Sequence, residues 1–173
     1  MKEVTPIKKL LALLLALSCL LSLTACGGEK LEEPPKLRIV AEDGTVTASK
    51  GTYSWMYNNG FNWTGIESDS IHPLEYEDLV ETLFTDAPTI ELDFAVVPDT
   101  ITVRECWSDE HWGDDYDTPG EAYELTYRNT APNITLKQGG WIYFISASWE
   151  HENYHGSSDY VFYVVTPELE AAK

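Results

Sequence analysis

The sequence predicts an all-β protein, a single two-sheet antiparallel β-sandwich of immunoglobulin-like architecture. Three observations carry this: apolar residues recur with a period of two, the runs are short, and turn residues separate them at roughly 8 to 12 residue spacing. Leu37-Arg38-Ile39-Val40, the turn Glu42-Asp43-Gly44 and Thr45-Val46-Thr47-Ala48 read as a hairpin, since Asp-Gly tolerates the positive φ of tight hairpin turns. Gly51 to Tyr57 is a third strand, closed by Asn58-Asn59-Gly60. Ile90, Leu92, Phe94 and Val96 alternate with Glu91, Asp93 and Ala95 until Pro98-Asp99 stops the run. Ile101 and Val103 open the next strand, which reaches Trp107, and Ser108 to Gly120 follows as a long polar loop.

Tyr123, Leu125 and Tyr127 mark one further strand, and Ile134 and Leu136 another. Gln138-Gly139-Gly140 then turns the chain into Trp141 to Trp149, and Tyr160 to Val165 is the last strand. These final two are apolar at consecutive positions, as central strands covered on both faces are. Pro73 to Phe84 carries the single helical signal, with a proline in the first turn, early acidic residues, and Leu79 and Leu83 four apart.

The N-terminus has a different character. Lys2, Lys8 and Lys9 precede the uncharged run Leu10 to Leu23, which leads into Leu23-Thr24-Ala25-Cys26. That order of basic, apolar and small residues is that of an export signal, and fourteen uncharged residues are short for a membrane span, which needs roughly 20. The Leu-Thr-Ala-Cys end resembles the lipobox of bacterial lipoproteins. The resemblance implies that Cys26 is acylated and becomes the mature N-terminus, holding the protein on the outer face of the cytoplasmic membrane. The expected division is then 1–25 signal peptide, 26–36 lipidated flexible tether, 37–166 β-sandwich domain and 167–173 C-terminal tail.

Processing at that point sharpens composition. It would remove three lysines and one glutamate, leaving 8 basic against 28 acidic residues, a net charge of −20. Such a surface repels phosphate backbones and anionic headgroups, which argues against nucleic acid as a partner and leaves membrane attachment to the lipid. Of three cysteines, Cys19 would leave with the signal and Cys26 would carry lipid, so Cys106 has no partner for a disulfide and reads as a packed thiol.

The segments Gly51-Thr52-Tyr53-Ser54-Trp55, His72-Pro73-Leu74, Pro98 to Trp107 and Gly139-Gly140-Trp141-Ile142-Tyr143 look similar to a β-rich extracytoplasmic region of Gram-positive (Clostridia-type) gut bacteria. It occurs in small lipoproteins and in the outer C-terminal part of BlaR1-like M56 peptidases and sensor proteins. The resemblance would cover about residues 36 to 166. It implies an exported sensory or binding module and transfers no catalytic residue.

Several clusters suggest chemistry. His151-Glu152-Asn153-Tyr154-His155 fits the H-E-x-x-H pattern of zinc hydrolases, which works because a helix puts both histidines on one face. Here it follows a strand and runs into Gly156-Ser157-Ser158, so a polar hairpin loop between the last two strands is the favoured reading. Asp109, Glu110, Asp114, Asp115 and Asp117 gather carboxylates in the long loop, a donor set that suits calcium but has no EF-hand spacing. His111 lies in the same loop and, with His151 and His155, offers ligands for a transition metal. Trp63 and Trp112 fall in polar loops, where indoles can stack on sugars or anchor peptides.

The expected function is therefore a non-enzymatic binding or sensing domain, without a cofactor unless the acidic loop takes Ca2+, and with an extracellular ligand or protein as partner. The alternatives are a zinc-dependent hydrolase using His151 and His155, and a structural protein-interaction module. A single binding site built from Trp63, Trp112 and the loops 109–117 and 150–159 requires that they converge at one end of the sandwich.

Overall fold

The computed structural model describes residues 31–115, 117–128 and 131–167. The segment expected to be a signal peptide, Cys26, and all but the first residue of the expected C-terminal tail lie outside them. Eleven strands form among the described residues: β1 (Leu37–Val40), β2 (Thr45–Thr47), β3 (Ser49–Asn58), β4 (Trp63–Ser68), β5 (Thr82–Phe84), β6 (Thr89–Phe94), β7 (Thr100–Ser108), β8 (Leu125–Arg128), β9 (Ala131–Thr135), β10 (Gly139–His151) and β11 (Tyr154–Thr166). They build two sheets, ordered β2-β1-β6-β9-β8 and β4-β3-β11-β10-β7, and β5 joins the second beside β11. All pairings are antiparallel except that of β5 with β11, so the two-sheet sandwich expected from the period-two pattern is the fold.

Alternation places one row of each strand between the sheets. Leu37, Ile39, Ile90, Leu92, Phe94 and Ile134 come from the five-stranded sheet, and Trp55, Tyr143, Ile145, Trp149, Tyr160 and Phe162 from the six-stranded one. Phe94 bridges the two, edge-on to Trp149 at 5.9 Å and to Tyr160 at 5.7 Å between ring centroids. Burying each such side chain contributes about 1.5–3 kcal/mol, and the edge-to-face geometry adds about 0.5–1.5 kcal/mol per pair.

The outer row of β10 and β11 is apolar only over one half of the sheet. There Ile142 and Val161 are covered by Leu74, Tyr76 and Trp107, with Trp112, Phe144 and Tyr163 packed alongside. This cover explains the consecutive apolar positions of the last two strands. Toward the other end, outward positions of the same strands are Ser146, Ser148 and Ser157, and the sheet meets water.

Four expectations are corrected. The helix over Pro73–Phe84 is replaced by two single-turn 3-10 segments, Pro73–Glu75 and Glu77–Leu79, and by β5. Leu83 is buried among the core side chains whereas Leu79 is 60% exposed, so the pair spaced four apart serves no common face. Trp63 opens β4 rather than lying in a loop. Residues 31–36 are not a free tether. Leu31 accepts a hydrogen bond from the Trp55 indole at 2.8 Å, the Lys50 ammonium bonds Glu33 at 2.9 Å, and the Tyr160 hydroxyl bonds the Pro35 carbonyl at 2.6 Å. Finally, the β1–β2 hairpin closes through Ala41 N–H to the Gly44 carbonyl at 2.8 Å without a left-handed backbone at Gly44.

Candidate functional site

Two strand irregularities flank the central β10–β11 pair. On one side, β7 slips against β10 between Tyr143 and Ile145, so that two β7 residues, Arg104 and Glu105, stand opposite Phe144 alone. On the other, β3 slips against β11 between Ser158 and Tyr160. An extra residue bends a strand and re-aims its side chains. Between these two slips, on the outer face, lies a cleft of about 710 Å³. That is within the roughly 300–1,000 Å³ of small-ligand sites.

Its floor is made by Phe144 and Val161, directly opposed on β10 and β11, and by Asp159. One wall is β7, with Thr102, Arg104, Glu105 and Trp107. The facing wall is Gly51 and Thr52 of β3 with Ser70, His72 and Tyr76 from the segment after β4. Gly51 allows a close approach: a Cβ there would sit 3.1 Å from the Asp159 Cβ and crowd the floor. The Pro73 turn is fixed by His72, whose Nδ1 accepts the Leu74 N–H at 3.3 Å, and His72 stands edge-on to Trp107 at 5.8 Å. Tyr76 is pinned by its hydroxyl to the Lys50 carbonyl at 3.2 Å and to Ser70.

The polar core of the cleft crosses three strands. Arg104 Nε donates to Ser146 Oγ at 2.8 Å, and Ser146 in turn donates to the Asp159 carboxylate on the adjacent strand. Ser146 and Asp159 are register partners, so this contact follows from the ladder itself. Among the described residues Arg104 forms no ion pair, and its planar fork retains donors suited to a carboxylate or phosphate. A cationic donor, a carboxylate and an aromatic wall thus share one concavity.

The residues singled out from sequence lie elsewhere and apart. His151 pairs with Tyr154 and His155 with Glu150 across a two-residue turn, so the two histidines are on opposite faces of the hairpin. His151 stacks on Tyr154 at 4.5 Å and His155 packs on Trp63 at 4.9 Å. The one-faced geometry that H-E-x-x-H requires is not formed, and the segment expected to be a loop from 150 to 159 is mostly strand. Asp109 accepts from the Tyr163 hydroxyl at 2.8 Å, while Asp114 meets His111 Nδ1 at 2.8 Å. Asp115 and Asp117 join neither contact. Among the described residues no three His, Cys, Asp or Glu side chains gather as metal ligands would.

Trp112 packs edge-on to Tyr163 at 5.5 Å, near where Ser108 pairs with the start of β10. Trp63 lies by the β10–β11 turn, at the opposite end of the same strands. The two tryptophans therefore do not converge. Cys106 is fully buried, its thiol directed to the Glu121 carbonyl at 3.4 Å, and burial pushes its pKa up, away from the reactive thiolate.

The cleft escaped sequence reading because its groups come from five separate segments. One signal was present: Asp159 stands immediately before the apolar run Tyr160 to Val165, and Arg104 is the one basic residue of β7. Comparison with known proteins adds no precedent for it. The chain matches no protein-family model, no curated protein and no solved structure.

Proposed function

We propose that this chain is a lipid-anchored extracytoplasmic binding module whose ligand site is the cleft between β3 and β7. One observation carries the reading: the relay Arg104–Ser146–Asp159, set beside Trp107 and Phe144 in a concavity of about 710 Å³. Ser146 holds the arginine and aspartate in fixed positions, so a ligand offering an anion to Arg104 and a donor to Asp159 finds both partners preorganised. Amino-acid-like and short peptide ligands have that pairing of charges with an apolar body for the aromatic wall. The rest of the cleft contains Thr52, Ser70 and Thr102, which suit hydrogen bonding to a ligand. Binding rather than turnover is the chemistry that this arrangement supports.

The lipid anchor rests on the Leu-Thr-Ala-Cys pattern at Cys26 and on the basic and apolar segments before it. The test is a titration of the purified protein with zwitterionic peptides and cell-wall fragments, followed by tryptophan fluorescence, because Trp107 lines the wall. Saturable binding that is lost in Arg104→Ala and in Asp159→Asn is the expected result. Ligands that bind equally well to both variants would place the site elsewhere.

A further inference from the structure

The β3–β4 hairpin ends in an uncharged tip that presents two aromatic rings. Phe61 is 95% exposed and Trp63 45% exposed, and residues 57–66 contain no charged side chain in a chain otherwise rich in acid. The backbone of the tip is closed on itself. Asn58 Oδ1 accepts the Gly60 N–H at 2.8 Å, Asn59 Oδ1 accepts those of Phe61 and Asn62 at 3.0 Å, and Asn59 N–H bonds the Asn62 carbonyl at 3.0 Å. Internal pairing of this kind lowers the cost of taking backbone out of water. Gly60 supplies the left-handed residue, φ 96°, that the turn needs.

The chain enters the domain at the same end. Pro35 at Tyr160 and Glu33 at Lys50 are held at one level, since Tyr160 and Lys50 are register partners, and Leu31 at Trp55 lies five residues further along β3 toward its turn at Asn58. Cys26 precedes Leu31 by five residues, a reach of about 17 Å when extended. An acyl chain on Cys26 would therefore hold this end of the sandwich against the bilayer.

We infer that Phe61 and Trp63 form an interfacial wedge that enters the headgroup region of the membrane and sets the orientation of the domain. The inference rests on the lipid-anchor reading of Cys26. Tryptophan at headgroup depth and phenylalanine below it match the preferences of these side chains. Glu150 and Glu152 on the adjacent turn are exposed and stay in water, so the domain leans on its β3–β4 corner. His155 packs behind Trp63 and supports the indole from the protein side.

The test uses the full chain, processed by a lipoprotein-secreting bacterium and reconstituted in phosphatidylcholine vesicles with brominated acyl chains. Quenching of tryptophan fluorescence by bromine is expected in the wild type, its loss in Trp63→Phe, and its reduction in Phe61→Asn. Acylated protein with equal quenching in the wild type and Trp63→Phe would overturn the wedge while leaving the anchor intact. A mature N-terminus whose mass shows no lipid on Cys26 would overturn both, and mass alone distinguishes that failure. Phe61 is almost fully exposed, so Phe61→Asn tests the wedge without disturbing the core.

Discussion

Ser146 and Asp159 face each other across the β10–β11 ladder, and the serine hydroxyl links the aspartate to Arg104 on the next strand. A register pair in the middle of a sheet thereby fixes both charges of the cleft. Ser146→Ala removes a donor from Asp159 and an acceptor from Arg104 together. The expected cost is about 1 kcal/mol of stability, measured by urea unfolding, with a larger proportional loss of ligand affinity because both charges become free to wander. A variant that unfolds earlier but binds as tightly as the wild type would show that the relay is structural only.

Gly140→Ala tests the cover over the outer face. A Cβ at this position would lie 2.1 Å from Asp109 Oδ2 and 2.6 Å from the Tyr163 hydroxyl, so that hydrogen bond must break or the 109–111 turn must move. A loss of about 1–3 kcal/mol is expected, as for overpacking elsewhere. Thermal unfolding checks it, and Asp109→Ala in the same background should recover part of the loss.

Alkaline pH should unfold the domain in a defined window. Burial pushes Tyr143 up to about 12; burial and then the Asp109 carboxylate push Tyr163 to about 12, and burial raises Tyr123 and Tyr160 as well. In the unfolded chain these phenols ionise near pH 10. Between pH 10 and 12 the folded state therefore holds more protons than the unfolded one, and stability falls as pH rises. Below pH 10 the contribution is fully present. The tyrosinate absorbance that is missing from Tyr143→Phe and Tyr163→Phe, taken as a difference from the wild type and followed with circular dichroism, should arise together with loss of structure, and its appearance before that loss would refute the assignment.

Trp55→Phe probes how the entering segment is held. The indole donates to the Leu31 carbonyl, stacks on Tyr154 at 5.5 Å and meets Trp149 edge-on at 5.6 Å. Phenylalanine keeps a stacked ring but drops the hydrogen bond and leaves a cavity where part of a fully buried indole was, at a cost of about 2–4 kcal/mol. Residues 31–36 should then become sensitive to limited proteolysis while the sheets stay intact.

The strands whose neighbours matched their periodicity were legible in the sequence. The row Ile90, Leu92, Phe94 and the runs 141–149 and 160–165 lie in β6, β10 and β11 as the pattern requires, because burial on one face or two leaves a direct mark on residue choice. β4 left little mark: Trp-Thr-Gly-Ile-Glu-Ser lies at a sheet edge with every residue at least partly exposed, so no apolar row was imposed on it. The false helix arose from tertiary packing, which drew Leu74 to the outer face and Leu83 to the core and left Leu79 in solvent. The cleft depended on two register slips, which are relations between strands and have no signature in either strand alone.

β11 pairs with β10 along its whole length, and its other edge carries β3 over 154–161 and then β5 over 163–165. It follows every strand it joins. During synthesis the chain therefore exposes β3, β5 and β10 as open edges until residues 154–166 arrive. Closure of the six-stranded sheet, and with it the cleft over Asp159, waits for the last strand it contains.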